Sequence, residues 1–387
     1  MSNKIILKPG KEKALLNRHH WIFSGAIAES PSMLKGDILP VYSQQKVLLG
    51  HAYFNTKAKI FGRMLSFGDA NPLQQLFVSL KAAIELREKF FTKETNAYRL
   101  VNGEGDFIPG LIIDRYQDGL VLQISTLGME KLKSQVLEFL IKEIRPSFIY
   151  EKSTLPSRKE EGLGPVENLL YGELPEEIQI SENGLKFLVS PKEGQKTGFF
   201  IDHREMRQQV RDLSKDKRVL NCFAYTGGFS VYAASGGAQQ VDSVDISDAA
   251  MKMAQRNAHL NELSVPMKFY TEDVFEFLRR SSLDYDLIIL DPPAFAKRQK
   301  DIIPGCRGYK DINRVTMQKI PPKSLLLTSS CSYFVDEELF QKVVFQAASE
   351  AKRQVRIIGR HRLAMDHPIN IFHPEGDYLK SLLLYIE

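Results

Sequence analysis

Val219-Leu220-Asn221-Cys222-Phe223-Ala224-Tyr225-Thr226-Gly227-Gly228-Phe229-Ser230, with the run that continues to Val244-Asp245, is the stretch on which the reading of this chain turns. A short apolar run follows the charged segment Ser214 to Arg218 and passes directly into paired glycines, the pattern of strand, tight turn and helix. Glycine lets the backbone turn sharply and approach a ligand, and a helix beginning near Phe229 presents free amides. The next apolar strand ends in Asp245, 18 residues after Gly227. At the end of the second strand of a βαβ unit, a carboxylate can accept hydrogen bonds from both hydroxyls of a ribose. The glycines alone would equally suit a generic turn; the acid at that distance makes a nucleoside site the better reading.

Two nucleoside cofactors use this geometry. A dinucleotide sets a pyrophosphate on the helix N-terminus and favours three glycines in G-x-G-x-x-G. That triplet is absent, and Phe223, Tyr225 and Thr226 occupy the turn. S-adenosylmethionine carries no phosphate and needs only a turn that fits a methionine portion and an adenosine, so the residues favour S-adenosylmethionine.

Further along, the apolar strand Asp286-Leu287-Ile288-Ile289-Leu290 runs into Asp291-Pro292-Pro293-Ala294-Phe295. Ligands of open α/β sheets bind at the carboxyl ends of strands, and two prolines fix the backbone that presents Asp291 there. This motif suits methylation of an exocyclic amine, whose hydrogens proline carbonyls can hold. A second apolar strand, Leu325-Leu326-Leu327-Thr328-Ser329-Ser330, delivers Cys331 to the same edge. Carbon 5 of cytosine is a poor nucleophile, and a thiolate that adds at carbon 6 makes an enamine able to attack a methyl group. An exocyclic amine needs no such help. By position alone Cys331 is equally a small buried hydrophobe.

With 387 residues, two or three domains are expected. No apolar run suits a membrane span or a signal core, and three cysteines, Cys222, Cys306 and Cys331, fit reduced thiols in a cytoplasmic protein. The net charge of +5 is concentrated: residues 1–70 hold ten Lys or Arg against four acids, an excess of six. A basic module on a nearly neutral body is an electrostatic footprint for nucleic acid, although charge alone would also fit a solvated face. Short β-like runs broken by turn residues suggest a small barrel there. Between Lys297 and Arg314, basic residues outnumber acids in what reads as a loop beside the Asp291 strand, suited to phosphates flanking a flipped base. The charged stretch Glu151 to Glu167, with its Gly and Pro, also reads as a loop.

Leu7-Lys8-Pro9-Gly10-Lys11-Glu12-Lys13 and Arg18-His19-His20-Trp21-Ile22-Phe23-Ser24-Gly25-Ala26-Ile27 resemble the opening of bacterial 23S rRNA 5-methylcytosine methyltransferases with a PUA-type RNA-binding domain, and the likeness covers nearly the whole length. His20 stands where that family usually has proline, and Ile320-Pro321-Pro322-Lys323-Ser324 where relatives more often have a glycine pair. The resemblance implies an α/β chain of three parts: a PUA-like β-barrel at 1–70, a small central α/β domain at 71–180, and a Rossmann-like class I methyltransferase domain at 181–387. It further implies that the stretch Lys196-Thr197-Gly198-Phe199-Phe200-Ile201-Asp202-His203-Arg204 lines the methionine end of the cofactor, with Lys196, Phe200, Asp202 and Arg204 as candidates. Phe200 would meet the sulfonium.

The cofactor set is completed by Asn221, Phe223, Tyr225, Thr226, Gly227, Gly228, Phe229, Asp245, Ile246, Ser247, Asp273, Val274, Asp291 and Pro292. Asp273 would accept from the adenine amino group, a role compatible with capping a helix. Cys331 is the implied nucleophile and Asp291 its partner at the ring nitrogen 3 edge. The expected partner is RNA, 23S rRNA or a ribosomal precursor, with no membrane; a homodimer is compatible with the resemblance. Two alternatives stay open: methylation of a base nitrogen through Asp291-Pro292-Pro293 without the thiol, and a non-catalytic RNA-binding assembly factor.

Overall fold

The computed structural model describes residues 3–387, and the chain divides into two compact units. The first comprises the chain up to Ile180 together with Val189–Ile201 and Met365–Gly376; the second comprises Ser181–Leu188, Asp202–Ala364 and Asp377–Glu387. In the first unit, β1 (Ile5–Leu7), β2 (Trp21–Phe23), β3 (Ile27–Glu29), β4 (Lys35–Tyr42), β5 (Leu48–Asn55) and β6 (Ile60–Phe67) form one sheet in the order β2-β6-β5-β4-β1-β3, with α1 (Lys13–Leu16) between β1 and β2. Along β4 the buried residues are interspersed with partly exposed ones, as in a strand with one face toward a core.

Helix α2 (Pro72–Glu88) follows, opened by Asn71, whose side chain accepts from the amides of Leu73 and Gln74, with proline at the first helical position. A second sheet, β11-β10-β9-β8-β7, is made of β7 (Ala97–Asn102), β8 (Leu111–Tyr116), β9 (Gly119–Ile124), β10 (Phe148–Ser153) and β11 (Val166–Gly172), with α3 (Leu127–Lys131) and α4 (Lys133–Ile144) inserted. Tyr53 and Leu65 of the first sheet lie in the same apolar core as Leu100, Ile113, Leu122 and Ile149, so residues 1–70 and 71–180 share one interior. The stretch read as a charged loop is also different: Glu151 is a fully buried residue of β10, and Glu161 is buried where Arg63 (2.7 Å) and Asn55 (2.8 Å) meet its carboxylate. A charge removed from water needs such partners, and none is adjacent in sequence.

Strands β12 (Ile178–Glu182) and β13 (Leu185–Val189) precede the second unit's main sheet. That sheet holds β14 (Arg218–Cys222), β15 (Gln240–Asp245), β16 (Met267–Thr271), β17 (Leu287–Leu290), β18 (Ser324–Ser330), β19 (Val355–His361) and β20 (Lys380–Ile386) in the order β16-β15-β14-β17-β18-β20-β19. The first five are parallel, and β20 runs antiparallel between β18 and β19. Helices α5 (Arg204–Leu213), α6 (Gly228–Ser235), α7 (Asp248–Leu260), α8 (Val274–Arg280), α9 (Ile302–Lys319) and α10 (Glu337–Ala351) connect them. One apolar core gathers Leu220, Ile288 and Leu326 with α8 to α10; another gathers Val219, Leu287 and Ile289 with α5 and α6, so the sheet is covered on both faces. This explains the unbroken apolar runs of β17 and β18. Strand order reverses between β14 and β17, the switch point where such sheets open a crevice at their carboxyl ends.

Candidate active site

The β14 turn is built as the paired glycines suggest. Gly227 lies at φ +78°, and a Cβ there would stand 2.8 Å from Cβ of Ala254, so glycine serves both the left-handed turn and the approach of α7. Two residues without that freedom, Phe223 (φ +59°) and Tyr225 (φ +47°), are also held left-handed, a cost of about 1 kcal/mol or more each that surrounding contacts must offset. The Tyr225 amide donates to Oδ2 of Asp245 at 2.9 Å, and the Ser247 amide to Oδ1 at 2.9 Å. Each carboxylate oxygen keeps a further lone pair, so Asp245 is aimed and able to accept from a ribose. Beside it Ile246 is exposed, an apolar surface suited to an adenine face. Ser247 caps α7 and Asp273 caps α8 through Glu276 N–H.

Other members of the expected set are interior. Asn221 is fully buried and donates to Ser230 Oγ at 2.8 Å beneath the turn; Phe229, Val274 and Pro292 are buried, and the Thr226 carbonyl accepts from Asn257. Asp202 is buried and accepts from the Tyr378 hydroxyl at 2.6 Å. Arg204 lies buried 3.4 Å from Glu182, a carboxylate that also takes Arg207 in a two-point pair at 2.7 and 2.8 Å and the Tyr232 hydroxyl at 3.0 Å. The Arg204 guanidinium therefore shares the Glu182 carboxylate with Arg207. Lys196 and Phe200 fall in the first unit, where the Lys196 ammonium sits 4.4 Å from the Phe200 ring centroid. The aromatic face expected to meet a sulfonium therefore already faces a cation of the chain.

At the ends of β17 and β18 the structure joins the two catalytic candidates. The half-buried Cys331 thiol lies 3.9 Å from the Pro292 carbonyl, next to Asp291. Ser332, fully buried, locks the two loops: its Oγ accepts from Ala296 N–H at 3.1 Å and shares a hydrogen bond with the Tyr309 hydroxyl at 2.8 Å. Tyr309 comes from α9, where Gly305 and Gly308 allow close packing, since a Cβ at either would stand 3.0 Å from Ala296 or Phe295. His203 Nε2 lies 3.6 Å from Asp291 Oδ1. Phe295 packs inward on Tyr309 (4.7 Å), Phe275 (5.9 Å) and Phe223 (6.3 Å), whereas Tyr333 and Phe334, directly after the Ser-Cys-Ser run, are exposed.

A match to the S-adenosylmethionine-dependent methyltransferase family covers residues 164–355, and one to the PUA-like domain covers residues 5–67. Proteins named ribosomal RNA large subunit methyltransferase I from Pseudoalteromonas atlantica and Tolumonas auensis are 40% and 41% identical, with 99% of each chain covered. The chain belongs to the ribosomal RNA large subunit methyltransferase I family. Among solved structures, a candidate methyltransferase complexed with SAH superposes with a TM-score of 0.86 at 26% identity, covering 99% of this chain and 100% of that one. A candidate SAM-dependent methyltransferase from Streptococcus mutans gives 0.85 at 25% identity, with the same coverage. The chain is therefore an S-adenosylmethionine-dependent methyltransferase with a PUA-like β domain ahead of its Rossmann-like domain.

Sequence reasoning misplaced one part of this methyltransferase and overlooked others. The basic loop from Lys297 to Arg314 is mostly helix α9, and its charges are largely paired: Arg298 with Asp301 (3.0 Å), Lys310 with Glu350 (2.7 Å), Arg314 with Asp311 (2.8 Å). Among the described residues of this stretch, Lys297, Lys300 and Arg307 are exposed cations for which no ion pair is seen. Cys222 is buried and its thiol pushed well up by desolvation, so it is packing; Cys306 lies on α9, half-buried against the core and raised for the same reason. His203, Tyr309, Glu182 and Lys380 were not singled out, because nothing local to each announces its role. A grouping of metal-ligand type, His19, His373 and Glu375, lies in the first unit. Its geometry is that of a hydrogen-bonded pair: Trp21 N–H donates to His19 Nδ1 at 3.1 Å, which leaves the ring proton on Nε2, facing Glu375 Oε1 at 3.2 Å.

Proposed function

We propose that this methyltransferase forms 5-methylcytosine in large-subunit (23S) ribosomal RNA through a covalent adduct with Cys331. The substrate class follows its relatives, which are named for large-subunit rRNA. The observation that carries the chemistry is the thiol of Cys331 at the end of β18, 3.9 Å from the Pro292 carbonyl and beside Asp291 at the end of β17. In this reading the three parts of the chain divide the work: residues 1–70 hold RNA, 71–180 support that module, and 181–387 carry the chemistry. S-adenosylmethionine supplies the methyl group. Asp245 would hold its ribose and Ile246 its adenine face, while the left-handed turn at Gly227 keeps the backbone clear.

The thiolate of Cys331 adds to carbon 6 of the cytosine, forming an Sγ–C6 bond and moving electron density to carbon 5. Asp291 holds the nitrogen 3 edge, with His203 Nε2 3.6 Å from its carboxyl group. Once carbon 5 carries the methyl group, loss of its proton returns the electron pair that breaks the Sγ–C6 bond. The exposed rings of Tyr333 and Phe334 offer a surface on which a flipped base can stack. A base-nitrogen methyltransferase would use Phe295 for that purpose, and Phe295 is occupied with Tyr309, Phe275 and Phe223.

The test is methyl transfer from labelled S-adenosylmethionine to unmodified large-subunit rRNA, with the modified base identified by mass spectrometry, for wild type and Cys331→Ala. Label in 5-methylcytosine that is lost in the variant supports the adduct. Label in another base, or full activity without the thiol, replaces it with base-nitrogen methylation; no label in any RNA leaves a binding factor. Light scattering of the same preparation decides whether the protein works as a homodimer.

A further inference from the structure

Lys380 is 94% buried (relative exposure 6%) at the start of β20, paired in register with Ser330 of β18. Its ammonium reaches across that pairing to donate to the Ser332 carbonyl at 2.7 Å, one residue from the nucleophile. Among the described residues this is the only hydrogen-bond acceptor the ammonium has. A cation removed from water needs a counter-charge. The charged groups facing it are Cys331, Asp377, Asp336 and Arg362. Asp377 gives one oxygen, Oδ2, to Arg362, which also binds Glu337, while its Oδ1 is buried without a hydrogen-bond partner; Asp336 is exposed and caps α10 through Leu339 N–H. Two further titratable groups stand by Cys331: Asp291, next to Pro292 whose carbonyl the thiol meets, and Tyr309, whose hydroxyl bonds Ser332. Of the charged groups facing the ammonium, the Cys331 thiol acts on it most strongly, and it belongs to the residue next to the carbonyl that the ammonium binds.

We infer that Lys380 is the positioning residue that holds Cys331 as a thiolate, accepting its proton and keeping it beside the sulfur as an ammonium–thiolate pair. The inference rests on Cys331 as the nucleophile. The S–H bond breaks and an N–H bond forms, so the pair stays neutral overall and no further reactant is needed. Desolvation lowers Lys380 to about 8, close to an ordinary thiol, so the proton lies within reach of either partner. When the Sγ–C6 bond breaks at the end of the reaction, the departing thiolate meets the same cation.

The measurement is the pH dependence of iodoacetamide alkylation, followed peptide by peptide in the full-length protein. In the wild type, Cys331 should react with a midpoint roughly one unit or more below free cysteine (about 8.5), and Cys306 with one above it. Lys380→Met should raise the Cys331 midpoint and slow its alkylation at pH 7 about tenfold, while Lys380→Arg, which keeps the charge, should hold the midpoint low. A wild-type Cys331 midpoint at or above that of Cys306 overturns the inference even if neither variant folds, as does a midpoint indifferent to Lys380→Met. Methyl transfer that persists in Cys331→Ala would instead overturn the covalent reading, and leaves the alkylation comparison to judge Lys380 separately.

Discussion

Replacing Ser332 with alanine tests whether the two loops of the site are held together as the hydrogen bonds indicate. The hydroxyl is fully buried and serves Ala296 N–H at 3.1 Å and the Tyr309 hydroxyl at 2.8 Å. Alanine leaves the Ala296 amide without its acceptor in a buried position, a cost of about 1–3 kcal/mol. The phenol loses less, because Ser330 is also within its reach. The expected loss of stability is therefore roughly 2 kcal/mol, read from a melting curve of the protein saturated with S-adenosylhomocysteine. A loop displaced by a fraction of an ångström beside a nucleophile should lower kcat by about ten- to a hundredfold, with KM for S-adenosylmethionine unchanged. Tyr309→Phe should cost less, and the double variant should fall short of the sum, since both singles remove the same bond. A Ser332→Ala enzyme with normal stability and full kcat would refute the reasoning. A fall in cofactor affinity without a fall in kcat would place the serine's role at the wrong end of the site.

Gly227→Ala should destabilise by roughly 2–4 kcal/mol, from a left-handed alanine and from a Cβ 2.8 Å from Ala254, and should weaken S-adenosylhomocysteine binding measured by calorimetry. Unchanged binding in a folded variant would separate the turn from the cofactor. His361 is lowered to about 4 by burial and by the neighbouring His203. The unfolded state, with an ordinary histidine near 6.5, binds the proton first, so stability should be full above pH 6.5 and decline toward pH 4. His361→Gln should flatten that decline by up to about 3 kcal/mol in urea titrations at successive pH values; identical profiles would show that the ring is charged without penalty.

What could be read from the chain in advance was whatever is local. The β14 strand, its glycine turn and Asp245 lie within 28 residues and carry their own periodicity, and the same holds for the two strands that lead to Asp291 and Cys331. Helix α9 was hidden because charges and two glycines crowd its first turns, and its apolar face shows only when Tyr309, Ile312 and Val315 are seen against the core. The buried charges were beyond reach for a different reason. Glu182 meets Arg207 and Tyr232, 25 and 50 residues on, and Lys380 meets the Ser332 carbonyl 48 residues back. A charged residue in sequence looks like surface until its partner is placed.

The arrangement of the sheet bears on which chemistry the site is built for. In the parallel register Leu290 lies opposite Thr328, so Cys331 leaves its strand two residues beyond the level of Asp291, on a neighbouring strand about 4.8 Å away. Groups set that way can take a flat pyrimidine from two directions, its edge against one strand end and its carbon 6 against the other. A nitrogen methyltransferase needs only the Asp-Pro-Pro loop, and for it the relation of that loop to β18 would be immaterial. Here the relation is fixed by a serine, a tyrosine and two helix glycines that allow α9 to close on the loop. Buried hydrogen bonds tie the loop after β17 to the loop after β18, which is what the proposed reaction, with its use of both Asp291 and Cys331, requires.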